Sequence, residues 1–220
     1  MPSAGVRSTL FVFVLTSGSL AAQGGRASPP PPPPVVVQPG APGDPSKIVK
    51  TVPKPGAKYT DADVHFMQGM IGHHAQALEM TALVPARTSR EDLQLLARRI
   101  EISQRDEIKQ MQSWLKARGL PVPDEHAHHA TGAKLMPGML TPDEMASLRN
   151  ANGVAFDRLF LTLMVKHHEG ALQMVKDLLA SPGAAQDAEV SAFASDVEAD
   201  QSMEISRMKS MYRIAEANER

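Results

Sequence analysis

The chain has no cysteine, which excludes disulfide staples, thiolate metal ligands and lipid attachment through sulfur. If exported, such a protein must hold together by helix packing or by bound metal. An excess of one charge is also missing. Lys and Arg number 23 against 24 Asp and Glu, giving a formal net charge of -1. No block of basic residues is long enough to track phosphates, so nucleic acid is not an expected partner. The chain carries no nucleophile elbow, phosphate loop or zinc-protease motif.

The N-terminal apolar run at residues 10–15 is too short to cross a bilayer comfortably. Arg7 precedes it, and small and polar residues ending in Ser19, Leu20 and Ala21 follow. This order resembles a secretory signal cleaved near Ala21 or Ala22, so residues 1–21 are read as a signal peptide and the mature protein as periplasmic or extracellular. An uncleaved anchor is the plainer alternative. After cleavage no stable membrane span is expected. Eleven of the 18 prolines then lie between Pro29 and Pro55, six of them consecutive. Residues 22–57 are therefore expected to be a disordered, extended linker.

What the chain does have is a repeat. Asp63, Phe66, Met70, His73, His74, Ala77, Leu78 and Met80 recur as Asp157, Phe160, Met164, His167, His168, Ala171, Leu172 and Met174, at a constant offset of 94. From Thr60 onward the apolar residues follow a helical period. Phe66, Met70, Ala77 and Val84 form one stripe that Pro85 is expected to end. Ser89 is a candidate cap for a second helix carrying Leu93, Leu96, Ala97, Ile100, Ile108, Met111 and Leu115, stopped by Gly119 and Pro121. A third helix begins near Asn152 or Gly153 and breaks at Ser181, Pro182 and Gly183. A fourth repeats the second at an offset of 97, with Glu107, Ile108 and Met111 answered by Glu204, Ile205 and Met208.

Two such hairpins, residues 60–118 and 152–217, cannot each bury an apolar face alone, and packing them together gives an all-α, duplicated four-helix bundle over residues 58–220. The linker 119–151 is long for a bundle. Thr141 is a good cap for a short extra helix through Leu148, and His126, His128 and His129 lie in the same linker, outside the repeat.

At about 100° per residue, Met70 falls near the centre of its stripe with His73 and His74 on either side and Met80 beside His73 two turns on; Met164, His167, His168 and Met174 repeat the geometry. Thioether suits Cu(I), and imidazole suits copper in either state or zinc. A Met/His set without cysteine therefore points to copper, with zinc as the alternative. The plainer reading is that methionine fills core gaps and an inward histidine is a hydrogen-bonded core residue. Gln104 and Gln201 fall on apolar faces, with Glu107 and Glu204 at their edges. Such groups need partners when buried, and the His pairs are the candidates; beside a bound metal these four would orient the imidazoles. Asp63 and Asp157 stand roughly 16 Å along the helix from the later His of each pair, too far to orient it, and are expected to support hairpin packing. The His126, His128 and His129 group is a possible accessory metal site.

Met136-Pro137-Gly138-Met139, the Thr141 to Met145 segment that follows it, and the run from Gly153 to Met174 closely resemble the bacterial family called domain of unknown function 305. The first repeat, from Phe66 to Met80 and on through Glu107 to Leu115, resembles that family's N-terminal half. The resemblance implies a ferritin-like fold, export, and copper binding through His and Met. At matching positions the implied ligands are Met70, His73, His74, Met80, Met164, His167, His168 and Met174.

Three classes of function follow. The first is an exported metal binder that sequesters or delivers copper without catalysis, its protein partner left open. The second is a non-metal structural or interaction module whose polar core sets helix register. The third is a ferritin-like redox enzyme, disfavoured because a di-iron site needs Glu-x-x-His and Met70, Ile71, Met164 and Val165 stand where the glutamates would be. Because imidazole must be neutral to coordinate, uptake is expected to weaken below about pH 6.

Overall fold

In a computed structural model of the chain, the described residues are 36–38, 47–49, 59–130 and 134–217, with side-chain surroundings described from residue 59 to residue 214. The expected signal peptide lies outside the described residues, as does most of the Pro-rich linker. Within that linker, Val36–Gln38 (β1) and Lys47–Val49 (β2) pair antiparallel, Val37 opposite Ile48. β-Branched residues supply this short ladder, a local preference the proline count does not reveal.

Four long helices carry the fold: α1 (Asp61–Arg87), α2 (Glu91–Ala117), α4 (Gly153–Ala180) and α5 (Ala188–Ala217), with a short α3 (Pro142–Asn150) in the connection. α1 packs on α2, α4 on α5, and α1 against α4, so two hairpins meet through their first helices. Thr60 and Asp63 form a capping box at the start of α1, and Thr141 and Glu144 do the same for α3. Asp187 caps α5 by accepting from the Glu189 and Val190 amides, and it also accepts from Trp114 and Arg118 of the opposite hairpin.

Two local expectations change. α1 runs on to Arg87 with Pro85 inside its last turn; the proline removes the one in-helix bond its N–H would make to the Thr81 carbonyl, and the Thr88 amide still reaches the Val84 carbonyl at 3.2 Å. Ser89 does not cap α2. The cap position is Arg90, without a side-chain cap bond, while the Thr88 hydroxyl takes the Arg90 amide.

The core divides into two apolar halves. One gathers Phe66, Met70, Ile108, Met111, Ala171, Met174, Phe193 and Val197; the other gathers Met80, Val84, Leu96, Ile100, Phe160, Met164, Ile205 and Met208. On every long helix the boundary between the halves falls at polar residues. These are His73, His74 and Gln76 on α1, Gln104 and Glu107 on α2, His167 and His168 on α4, and Gln201 and Glu204 on α5. Asp63 does support packing: its second oxygen accepts from the Ala185 amide at 2.7 Å, tying the head of α1 to the turn between α4 and α5.

Candidate metal centre

The polar layer holds four histidines with no solvent exposure: His73, His74, His167 and His168. His73 and His167 meet across the α1–α4 contact with ring centroids 3.9 Å apart, and each has its helix neighbour 6.2 Å away. The outer pair is held from the second helix of its own hairpin. His74 Nε2 lies 2.5 Å from Glu107 Oε2, and His168 Nε2 lies 2.7 Å from Glu204 Oε2. Glu107 and Glu204 thus do what their spacing predicts. Gln104 and Gln201 do not: neither amide atom of Gln104 has a hydrogen-bond partner, nor does Gln201 Oε1.

His73 Nε2 lies 3.0 Å from the Pro137 carbonyl. That carbonyl is brought in by the linker before α3. Gln76 clamps the linker with two bonds, its amide N–H to the Leu140 carbonyl at 3.0 Å and its oxygen to the Leu140 amide at 2.6 Å. Gly138, at φ +74, lies on Gly170 of α4 so closely that a Cβ on Gly170 would stand 2.0 Å from the Pro137 oxygen. Only glycine permits that approach.

These contacts orient the rings. A carbonyl can only accept, so Nε2–H of His73 donates and its Nδ1 keeps the lone pair; Nε2 of His74 and His168 is taken up by the Glu107 and Glu204 carboxylates, which leaves Nδ1 as the remaining ring nitrogen of each. All three Nδ1 atoms are buried without a partner, and His167 has neither nitrogen partnered. Burial, followed by the charge of His74, pushes His73 down to about 3. His167 is held well below the ordinary imidazole value by burial and then by repulsion from His73 and His168. At neutral pH both rings are neutral. Behind the outer pair, burial and then the charges of Glu107 and Glu204 raise Asp200 above the usual carboxylate range.

The predicted thioethers are all buried, and each helix contributes one to each apolar half. Met70 and Met174 belong to one apolar half, Met80 and Met164 to the other, because α1 and α4 cross the layer in opposite senses. The Met174 methyl reaches the open face of Gly69 together with Met136, an additional thioether that the repeat does not contain. Met136 and Met139 line an open pocket of about 280 Å³ that reaches His73, with His65, Gly72 and His128 also on its wall.

The accessory histidines converge on a residue outside the expected set. The Glu79 carboxylate, on α1, receives His129 Nε2 at 2.6 Å, His128 Nε2 at 3.3 Å and His126 Nδ1 at 3.4 Å, all on Oε1. Among the described residues, Glu79, His128 and His129 are the His and carboxylate groups whose three ligand atoms lie within 4.8 Å of one another. The four buried histidines do not converge that tightly, so a metal in their layer would draw on the methionines as well.

The family profile described as Domain of unknown function (DUF305) matches residues 63–212. Among solved structures, the chain is similar to a putative secreted DUF305 protein from Streptomyces coelicolor, at 29% identity and TM-score 0.62, covering 73% of this chain and 96% of that one. It is similar to a DUF305 fragment from Deinococcus radiodurans, at 32% identity and TM-score 0.60, covering 70% and 97%. It is also similar to CopM in its Cu(I)-bound form, at 29% identity and TM-score 0.55, covering 69% and 95%. No curated protein matches the chain. Among the described residues no helix is long and apolar enough to cross a membrane.

Proposed function

The chain belongs to the DUF305 family, and from that premise we propose that it is an exported copper binder that sequesters or delivers the metal without catalysing a reaction. Similar structures include CopM with Cu(I), Ag and Cu(II), which supports a metal role for a chain of this fold. One observation carries the reading. His73, His74 and His168 each have one ring nitrogen committed to an acceptor while the other is buried and unpartnered. A buried polar atom without a partner costs about 1–3 kcal/mol, and histidines oriented in this manner are typical of metal ligands. Met70 and Met164, one turn before each His pair, offer sulfur on the same faces, and that donor set favours copper over zinc.

A register-setting polar core is the competing reading, and the inter-helical His–Glu bonds favour it. It gives no role to the unpartnered nitrogens. The test is copper retention through gel filtration by the mature protein and by a variant with His73, His74, His167 and His168 all changed to Ala, with helicity checked by circular dichroism. Retention by the wild type alone is the expected result. Equal retention by a folded variant would assign the four rings to structure.

A further inference from the structure

We propose that Glu79, His126, His128 and His129 form a second metal site, for a borderline divalent cation such as Zn2+ or Cu2+, chemically distinct from the buried His/Met layer. His128 carries the argument. Its Nδ1 lies 3.1 Å from the Glu125 carbonyl, which can only accept, so Nδ1 holds the proton and Nε2 of the neutral ring holds a lone pair. That Nε2 is buried, has no hydrogen-bond partner, and faces Glu79 Oε1 at 3.3 Å. Two acceptors so placed repel unless a cation stands between them.

The surrounding groups fit a cation. The short turn at Ala127–His129 gathers three imidazoles with centroids 4.1 to 6.3 Å apart, and all three present a nitrogen to the same carboxylate oxygen. With no proton on His128 Nε2, that oxygen is not hydrogen-bonded to all three. Arg149 lies 3.6 Å from the other oxygen, Oε2, leaving Oε1 to the histidines. The mutually close set is two imidazole nitrogens and one carboxylate oxygen, with His126 Nδ1 3.4 Å from that same oxygen; such nitrogen and oxygen donors suit a tetrahedral borderline ion, and no thioether belongs to the set. The donor set therefore separates this site from the inner one, and it does not depend on copper binding there.

The experiment is calorimetric titration of the full-length chain with Zn2+ alone. The variants are H128A/H129A, E79Q, and the fourfold inner variant at His73, His74, His167 and His168. The expected result is one zinc equivalent present in the wild type, absent in H128A/H129A and retained by the inner variant. E79Q is isosteric, removes only the charge, and is expected to weaken that equivalent by about 10-fold or more. Undiminished zinc binding in both H128A/H129A and E79Q overturns the site. So does a zinc equivalent lost only with the inner histidines. Failure of copper retention at the inner layer leaves the outer equivalent in place, so the two proposals fail separately.

Discussion

His74 on α1 and Glu107 on α2 are joined by a 2.5 Å contact between Nε2 and Oε2, with the imidazole fully buried. The bond turns the ring so that Nδ1, its remaining ligand atom, points away from the carboxylate. The negative charge also makes that nitrogen a better donor to a metal. Changing Glu107 to Gln keeps an acceptor but removes the charge. The expected outcome is a loss of about 10- to 100-fold in copper affinity with helicity unchanged, measured by competition with a chromogenic chelator. Glu204→Gln is expected to act alike through His168. Unaltered affinity in both variants would remove these two rings from the ligand set.

Acid stability follows from His73 and His167. In the unfolded chain an imidazole takes a proton near pH 6.5; folded, His73 does so only at about 3, and His167 is also well below normal. Between those values the unfolded state binds more protons than the folded one. The metal-free protein therefore loses stability as pH falls below about 6.5, by about 1.4 kcal/mol per pH unit for one such ring. Above that window these groups add no slope. Urea midpoints of the metal-free protein at pH 7, 6 and 5 test this, and His73→Gln is expected to flatten the dependence. The folded rings stay neutral below the pH at which composition alone predicts copper release, so metal loss in mild acid is expected to track unfolding.

Much of this layer was legible because helices are periodic. The stripe through Phe66 and Met70, its copy through Phe160 and Met164, and the placement of Glu107 and Glu204 all follow from residue identity and a fixed rotation per residue. The Pro137 carbonyl was not legible, since a backbone atom leaves no mark in residue type. Its signal was indirect: Gly138 and Gly170, far apart in the chain, both lack the Cβ that would block the approach. Glu79 was missed for another reason. It sits within the repeat where the second copy has Gln173, and only the folding back of the linker reveals what it faces. The repeat also does not show which apolar half each methionine joins: antiparallel crossing puts Met70 and Met174 in one and Met80 and Met164 in the other.

The linker contact makes Gly170 a sensitive position. A Cβ there would lie 2.0 Å from the Pro137 oxygen and 2.5 Å from Gly138 Cα, both backbone atoms that cannot rotate away. Gly170→Ala is expected to cost about 1–3 kcal/mol, as overpacking does, and to withdraw the acceptor from His73. Copper affinity and the urea midpoint should therefore fall together. Gly119→Ala is the control. It has φ +65 but nothing within 4 Å, so it strains the backbone without touching the site, and copper affinity is expected to hold.

Gln104 separates the two readings of the polar layer by stability. Its side chain is buried, and neither amide atom has a hydrogen-bond partner, so it bears a desolvation penalty that its present contacts do not repay. Replacing it with Leu, of similar size, removes both orphaned atoms and extends the apolar face already formed by Ile100, Ile108 and Met111. If the layer exists only to set helix register, the amide should matter to folding, and the variant should lose stability or populate more than one packing. If the layer exists to receive a metal, the metal-free variant should gain about 1 kcal/mol while binding copper less tightly. A higher midpoint with weaker copper binding is the expected pair of results, because a site that awaits a cation keeps polar atoms that folding alone would discard. A lower midpoint with unchanged copper binding would return the layer to a structural role.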